Sequence, residues 1–176
     1  MPKVGDKVSD FCRPNQDEEE ICFRDIKGRW LVLYFYPKDN TPGCTTEACD
    51  FTAALPDFKG LDVTIFGVSP DSPAKHRSFI EKKDLGITLL ADEDKSLCEA
   101  FGVWQLKKFM GKEYMGVVRS TFIIDPQGVI AASWEKVKSH KMTCPKNFKK
   151  ISRQLDITKI HSSMPKNPYL TNLTFE

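Results

Sequence analysis

The sequence predicts an α/β sandwich built on a mixed sheet. Three observations lead there. Short apolar runs alternate with segments of helical period. The runs Leu31–Tyr36 and Val63–Val68 are apolar throughout, as strands covered on both faces are. Two later runs, Thr121–Ile124 and Val129–Trp134, flank Asp125-Pro126-Gln127-Gly128, whose Pro and Gly suit a tight turn. Strands alternating with helices favour a sheet between helical layers, and a closing hairpin makes that sheet mixed.

The elements follow in order along the chain. Asp10-Phe11-Cys12 and Glu20-Ile21-Cys22-Phe23 flank the polar stretch Arg13–Glu19 and read as a small N-terminal hairpin. Leu31–Tyr36 is the first central strand, and a helix beginning near Cys44 runs toward Phe58. Val63–Val68 is the second strand. Ser72-Pro73 opens the next helix, with a good cap followed by proline at the first helical position. That helix carries His76, Phe79 and Ile80 and ends before Gly86. Ile87–Leu90 is a third strand, and Asp94–Phe101 a short helix stopped at Gly102. After the hairpin around Asp125, Phe148, Ile151 and Leu155 fall at helical intervals in a last helix, Lys146–Leu155. One domain over residues 1–160 and a tail over 161–176 are expected, since the tail carries two prolines and no period.

Composition narrows the function. The chain has 176 residues, 40% apolar and 28% charged, enough for one domain with a hydrophobic core. A net charge of +2 argues against nucleic acid and against a membrane surface. No apolar run is long enough to span a bilayer, and no secretory h-region follows Met1. A cytoplasmic protein is expected, where structural disulfides are rare. Its six cysteines are then redox-active, metal-binding or inert.

Cys44 and Cys49 stand apart from the rest. They lie five residues apart in Tyr36-Pro-Lys-Asp-Asn-Thr-Pro-Gly-Cys44-Thr-Thr-Glu-Ala-Cys49. At a helix start, backbone N–H groups lack intrahelical partners and the helix dipole is positive. Both favour thiolate, the nucleophilic form of cysteine. Pro42 fixes its own φ, Gly43 lets backbone approach a substrate, and Thr41 brings a hydroxyl near the sulfur. Five residues on one helix rise about 7.5 Å and turn roughly 140° past a full turn. The two Cα atoms are then roughly 9 Å apart, beyond the ~7 Å reach of a disulfide. The pair can bridge only if the helix start unwinds.

Pro37, Thr41 and Cys44 match the Pro-x-x-x-Thr-x-x-Cys signature of the peroxiredoxins, and the whole stretch to Cys49 resembles the bacterioferritin-comigratory-protein branch, peroxiredoxin Q. The likeness continues in Gly67–Ser72, Leu89–Asp92, Phe101–Trp104 and Arg119–Asp125, from about Val4 to Leu155. It implies a thioredoxin-like fold, with a central mixed sheet flanked by helices and an N-terminal β-hairpin. It also implies a thiol peroxidase, an antioxidant without cofactor or metal, acting on hydrogen peroxide and organic hydroperoxides. Cys44 is then the peroxidatic cysteine and Cys49 the resolving one, with thioredoxin or a similar dithiol as reductant. Thr41 would hydrogen-bond the peroxide, Arg119 would steady the thiolate and the departing oxygen, and Pro37 would shield the pocket. A monomer is expected, with a dimer as the alternative. Ser9 departs from the usual proline, which concerns the N-terminal turn and not the chemistry.

Glu47 sits one turn beyond Cys44 on the same helical face, where a carboxylate disfavours a thiolate. The expectation is that it pairs with Arg119 or another cation and orients it. Cys12 and Cys22 flank the first hairpin and could face each other, but their spacing fits no zinc pattern. They read as two small core residues rather than as a metal or disulfide pair. Cys98 reads as core and as a minor candidate for resolving thiol, and Cys144 as a helix-entry residue. His76 reads as helix surface, and His140 and His161 suggest no metal or protease site. Two rival functions remain. A thioredoxin-like protein disulfide oxidoreductase would usually carry Cys-x-x-Cys. A non-enzymatic metal-binding or redox-sensing module would be inert toward peroxide.

Overall fold

The structure is a computed structural model and describes residues 1–58 and 62–137. The expected helix Lys146–Leu155, Cys144, His140, His161 and the tail 161–176 lie outside these residues.

Five strands form the central sheet, in the order β5-β4-β3-β8-β9. They are β3 (Trp30–Phe35), β4 (Val63–Ser69), β5 (Thr88–Ala91), β8 (Ser120–Ile124) and β9 (Ile130–Trp134). β3 runs parallel to β4, and β4 to β5, while β8 is antiparallel to both β3 and β9. The sheet is therefore mixed, as its sequence predicts. β3 is central and buried on both sides, which is why it is apolar at successive positions.

Alternate residues of β3 feed two cores. Val32 and Tyr34 face α1 (Pro42–Ala54) and α2 (Pro73–Lys83), packing with Cys44, Ala48, Phe51 and Phe79. Leu31, Leu33 and Phe35 face the other way, toward Phe66, Leu97, Phe101 and Phe122. The Tyr34 ring stacks on Phe51 at 4.5 Å between centroids and lies over Gly67, its partner on β4. A Cβ at Gly67 would stand 2.5 Å from the Tyr34 oxygen, so only glycine fits beneath the ring.

α1 begins at Pro42, two residues before Cys44. Thr41 is its extended N-cap and proline occupies the first helical position. A 3₁₀ turn, Leu55–Phe58, follows it. α2 starts at Pro73 and stops at the left-handed Asp84. The short α3 (Ser96–Ala100) is held by Asp92, whose carboxylate accepts the Leu97 and Cys98 amides at 3.0 and 2.7 Å. The turn between β8 and β9 is closed by Asp125 Oδ1, which accepts the Gln127 and Val129 amides, both at 2.9 Å.

Two hairpins stand outside the sheet. β1 (Cys12–Pro14) and β2 (Glu20–Cys22) form the expected N-terminal one. Here the structure corrects the sequence reading: Cys12 and Cys22 are joined by a disulfide. The antiparallel register sets them directly opposite, with Cα atoms 4.0 Å apart, so their sulfurs meet. The second hairpin, β6 (Trp104–Phe109) and β7 (Lys112–Val117), was not foreseen in the sequence. Among the described residues, no helix is long and apolar enough to cross a membrane.

Candidate active site

Thr41, Pro42, Gly43 and Cys44 occupy the cap and first turn of α1, with Pro42 lacking an N–H. The Thr45 amide already bonds back to the Thr41 carbonyl at 2.9 Å. The Gly43 and Cys44 amides therefore belong to the set with no intrahelical partner. Cys44 is 2% exposed, beneath the surface of the first turn. Thr41 donates its hydroxyl to the Lys38 carbonyl at 3.1 Å, which folds the 37–41 loop back on itself. That bond uses the hydrogen and leaves the oxygen free to accept. Pro37 and Pro42 are exposed at the loop and helix start.

Arg119 comes from the other side of the site. It immediately precedes β8, and its carbonyl accepts the Val137 amide at 3.0 Å. Its guanidinium divides between two partners. Nη2 donates to Cys44 Sγ at 3.0 Å, and Nη1 donates to Glu47 Oε2. A guanidinium has no acceptor, so sulfur is the acceptor here, the role a thiolate fills best. The expected Glu47–Arg119 pair is present.

Burial and charge compete within this trio. Burial pushes the Glu47 carboxyl from 4.5 up to about 7, against the lowering pull of Arg119. Burial opposes the charge on Arg119, but Glu47 and Cys44 together outweigh it and raise its pKa. Burial also holds the Tyr34 phenol well above its ordinary value, with Glu47 adding to the effect. Among the described residues, the Tyr34 hydroxyl, Glu47 Oε1 and the Thr121 hydroxyl are buried with no hydrogen-bond partner.

Cys49 lies on α1 with Cys44, half-buried, and both thiols are free. An intact helix between them keeps the sulfurs from bonding, as their spacing predicts. Cys98 is also free, fully buried, and burial pushes its thiol far upward, with Asp92 adding to the effect. It has the environment of an inert core thiol.

An AhpC/TSA family model matches residues 4–133. The chain belongs to the AhpC/TSA family. It is 52% identical over 136 residues to peroxiredoxin Bcp of Bacillus subtilis, covering 77% of this chain and 87% of that one. Among solved structures, a cysteine-to-serine variant of Xanthomonas campestris peroxiredoxin Q superposes with a TM-score of 0.75 at 38% identity, over 81% of this chain and 90% of that one. The Xanthomonas campestris bacterioferritin comigratory protein, described for its alkyl peroxide reduction activity, gives a TM-score of 0.70 at 35% identity, covering 88% of this chain and 92% of that one. The chain is thus a peroxiredoxin of the Bcp/peroxiredoxin Q branch, a thiol peroxidase with the thioredoxin-like fold its motifs imply.

Sequence reasoning missed a polar cluster just behind this site. His76, expected on the helix surface, is fully buried against Asp39. No local signal marked it, because Asp39 and Leu90, which enclose the ring, are remote from His76 in sequence. The ligand-type cluster Cys12, Glu20 and Cys22 lies elsewhere, in the first hairpin, with its two sulfurs bonded to each other.

Proposed function

We propose that this peroxiredoxin reduces hydrogen peroxide and organic hydroperoxides through Cys44, with Cys49 as the resolving thiol. The observation that carries the reading is the Arg119 guanidinium set on Cys44 Sγ at 3.0 Å, at the first turn of a helix. The thiolate attacks one peroxide oxygen and the O–O bond breaks. Cys44 becomes a sulfenic acid, and the other oxygen leaves as water or alcohol after taking a proton. Arg119 supplies fixed donors for the charge that develops on the departing oxygen. Thr41 offers an acceptor for the peroxide hydrogen, and Pro37 borders the loop. Glu47 orients Arg119.

The first turns of α1 then unwind. Cys49 attacks the sulfenic sulfur, water leaves, and a Cys44–Cys49 disulfide forms. A dithiol reductant, thioredoxin or a protein like it, restores both thiols by exchange. The chain acts as a monomer in this scheme, since both thiols lie on one helix.

A coupled assay with thioredoxin, its reductase and a nicotinamide cofactor tests the scheme. Cys44→Ser is expected to abolish peroxide consumption. Cys49→Ser is expected to consume one equivalent of peroxide and then fail to cycle. Full cycling by Cys49→Ser would assign resolution to another thiol.

A further inference from the structure

His76 is 0% exposed, on a helix rich in charged residues, and is buried there beside Phe79. Its ring nitrogens face three partners, one of them the Tyr36 hydroxyl, 3.4 Å from Nδ1. Nε2 lies 3.2 Å from the Leu90 carbonyl oxygen, and Nδ1 lies 2.7 Å from Asp39 Oδ2. A carbonyl only accepts, so Nε2 carries a hydrogen. The contact between Nδ1 and the carboxyl joins His76 directly to Asp39. The other Asp39 oxygen accepts from the Tyr36 hydroxyl at 2.6 Å. The Asp39 amide donates to Asp71 Oδ2 at 2.8 Å. That same oxygen accepts from Ser69 Oγ at 3.1 Å, and Lys75 Nζ lies 3.4 Å from Asp71 Oδ1.

Asp39 therefore ties together the end of β3, the β4–α2 connection, α2 and β5. It stands two residues before Thr41, the cap of α1, and the left-handed Asn40 makes the turn between them. Both oxygens of the buried carboxyl are bonded, so the loop leading into Cys44 is fixed to the sheet at one residue.

The geometry points to Tyr36, Asp39 and His76 as a positioning clamp: by fixing the 37–41 loop they hold the first turn of α1 folded, and so set how readily Cys44 leaves its site to meet Cys49. This rests on the proposal that those two thiols form the disulfide of the cycle. Unwinding the helix start pulls on Thr41 and the loop. If Asp39 follows, His76 and Tyr36 lose their partner inside the protein, and a buried polar group without a partner is costly. The clamp thus favours the folded form, which attacks peroxide, over the unwound form, which resolves. Weakening it moves the two rates in opposite directions, because the two steps draw on different members of one equilibrium. A global loss of stability that leaves the balance between the two forms unchanged produces no such split.

Single-turnover kinetics on the full chain test this. In His76→Phe, oxidation of Cys44 by hydrogen peroxide is expected to slow about tenfold while disulfide formation quickens by a similar factor. More peroxide is then needed to overoxidise Cys44. Tyr36→Phe removes the hydroxyl but leaves the His76–Asp39 contact, and is expected to shift both rates the same way by less. Proton NMR of the wild type is expected to show a far-downfield imidazole N–H resonance that Asp39→Asn abolishes. Circular dichroism checks folding, and if His76→Phe does not fold, Tyr36→Phe and Asp39→Asn carry the same kinetic test. Wild-type values for both rates, or slowing of both together, overturn the clamp. Peroxidase activity surviving in Cys44→Ser overturns the underlying thiol reading instead.

Discussion

Arg119 donates to two acceptors, a Glu47 oxygen and the Cys44 sulfur, whereas Glu47 faces one cation. The guanidinium therefore gains from its neighbours more than it loses by burial, and the carboxyl does not. Only one Glu47 oxygen is bonded, which leaves the other to bear desolvation alone. With its pKa raised from 4.5 to about 7, Glu47 takes up a proton on folding within that window. Its stability contribution is full below 4.5 and is lost as pH rises through about 7. The thermal stability of the wild type should therefore fall as pH rises across this window, relative to Glu47→Gln, which has nothing to titrate there. Activity should follow the opposite course, because the ionised carboxylate is the form that orients Arg119. The ratio of wild-type to Glu47→Gln rates for Cys44 oxidation isolates the carboxyl, the one difference between the two proteins. It is expected to rise from near one in acid to about tenfold above neutrality. A ratio that stays flat with pH would show that Glu47 does not act through Arg119. The pair was legible in the sequence because Glu47 lies one turn from Cys44. His76 was not, because nothing within its own helix reports that Asp39 and Leu90 enclose it.

At the scale of elements, the N-terminal hairpin carries the next expectation. β1 and β2 have only three residues each, and such a short two-stranded ribbon is marginal by itself. The Cys12–Cys22 disulfide and the stacked Phe11 and Phe23 rings, 5.4 Å apart, hold it together and against the second core. The bridge closes a sequence separation of 10, for which loop-closure entropy gives about 2–3 kcal/mol. Urea unfolding of Cys12→Ser should show a loss of that size, with Cys44 oxidation kept, since Cys44 packs in the other core. Equal stability of the two proteins would mean that the hairpin is held by its aromatic contacts alone. The sequence placed these cysteines on facing strands, and an assumed reducing compartment weighed against the bond. The central strands were legible because burial on both faces makes a nearly unbroken apolar run, and β9 because the Asp125–Gly128 turn pairs it with β8. The β6–β7 hairpin was not, because its strands pair only with each other and expose Leu106, Tyr114 and Met115 among lysines. No buried face imposed a period on it.

In the whole molecule, the sheet stands between the helix that carries both thiols and the second core. Cys44 and Cys49 share one helix, and that helix is unevenly anchored. Its first turns hold small or exposed residues, Pro42, Gly43, Thr45 and Thr46, with Cys44, Glu47 and Ala48 facing inward. Its second half is fixed by Phe51, stacked on Tyr34, and by Ala54. Fully burying a phenylalanine contributes roughly 1.5–3 kcal/mol, so unwinding past Phe51 would cost far more than unwinding up to it. The second core, on the opposite face of β3, takes no part in α1 and has no reason to change. Hydrogen exchange should therefore separate the two redox forms sharply by region. On oxidation to the Cys44–Cys49 disulfide, the amides of Thr45–Asp50 should lose protection, and those of β3, β4 and β8 should keep it. Protection lost in the sheet would mean that the disulfide loosens the core as a whole. Protection kept throughout 45–50 would mean that the two sulfurs meet without unwinding, which helix geometry forbids for cysteines five residues apart.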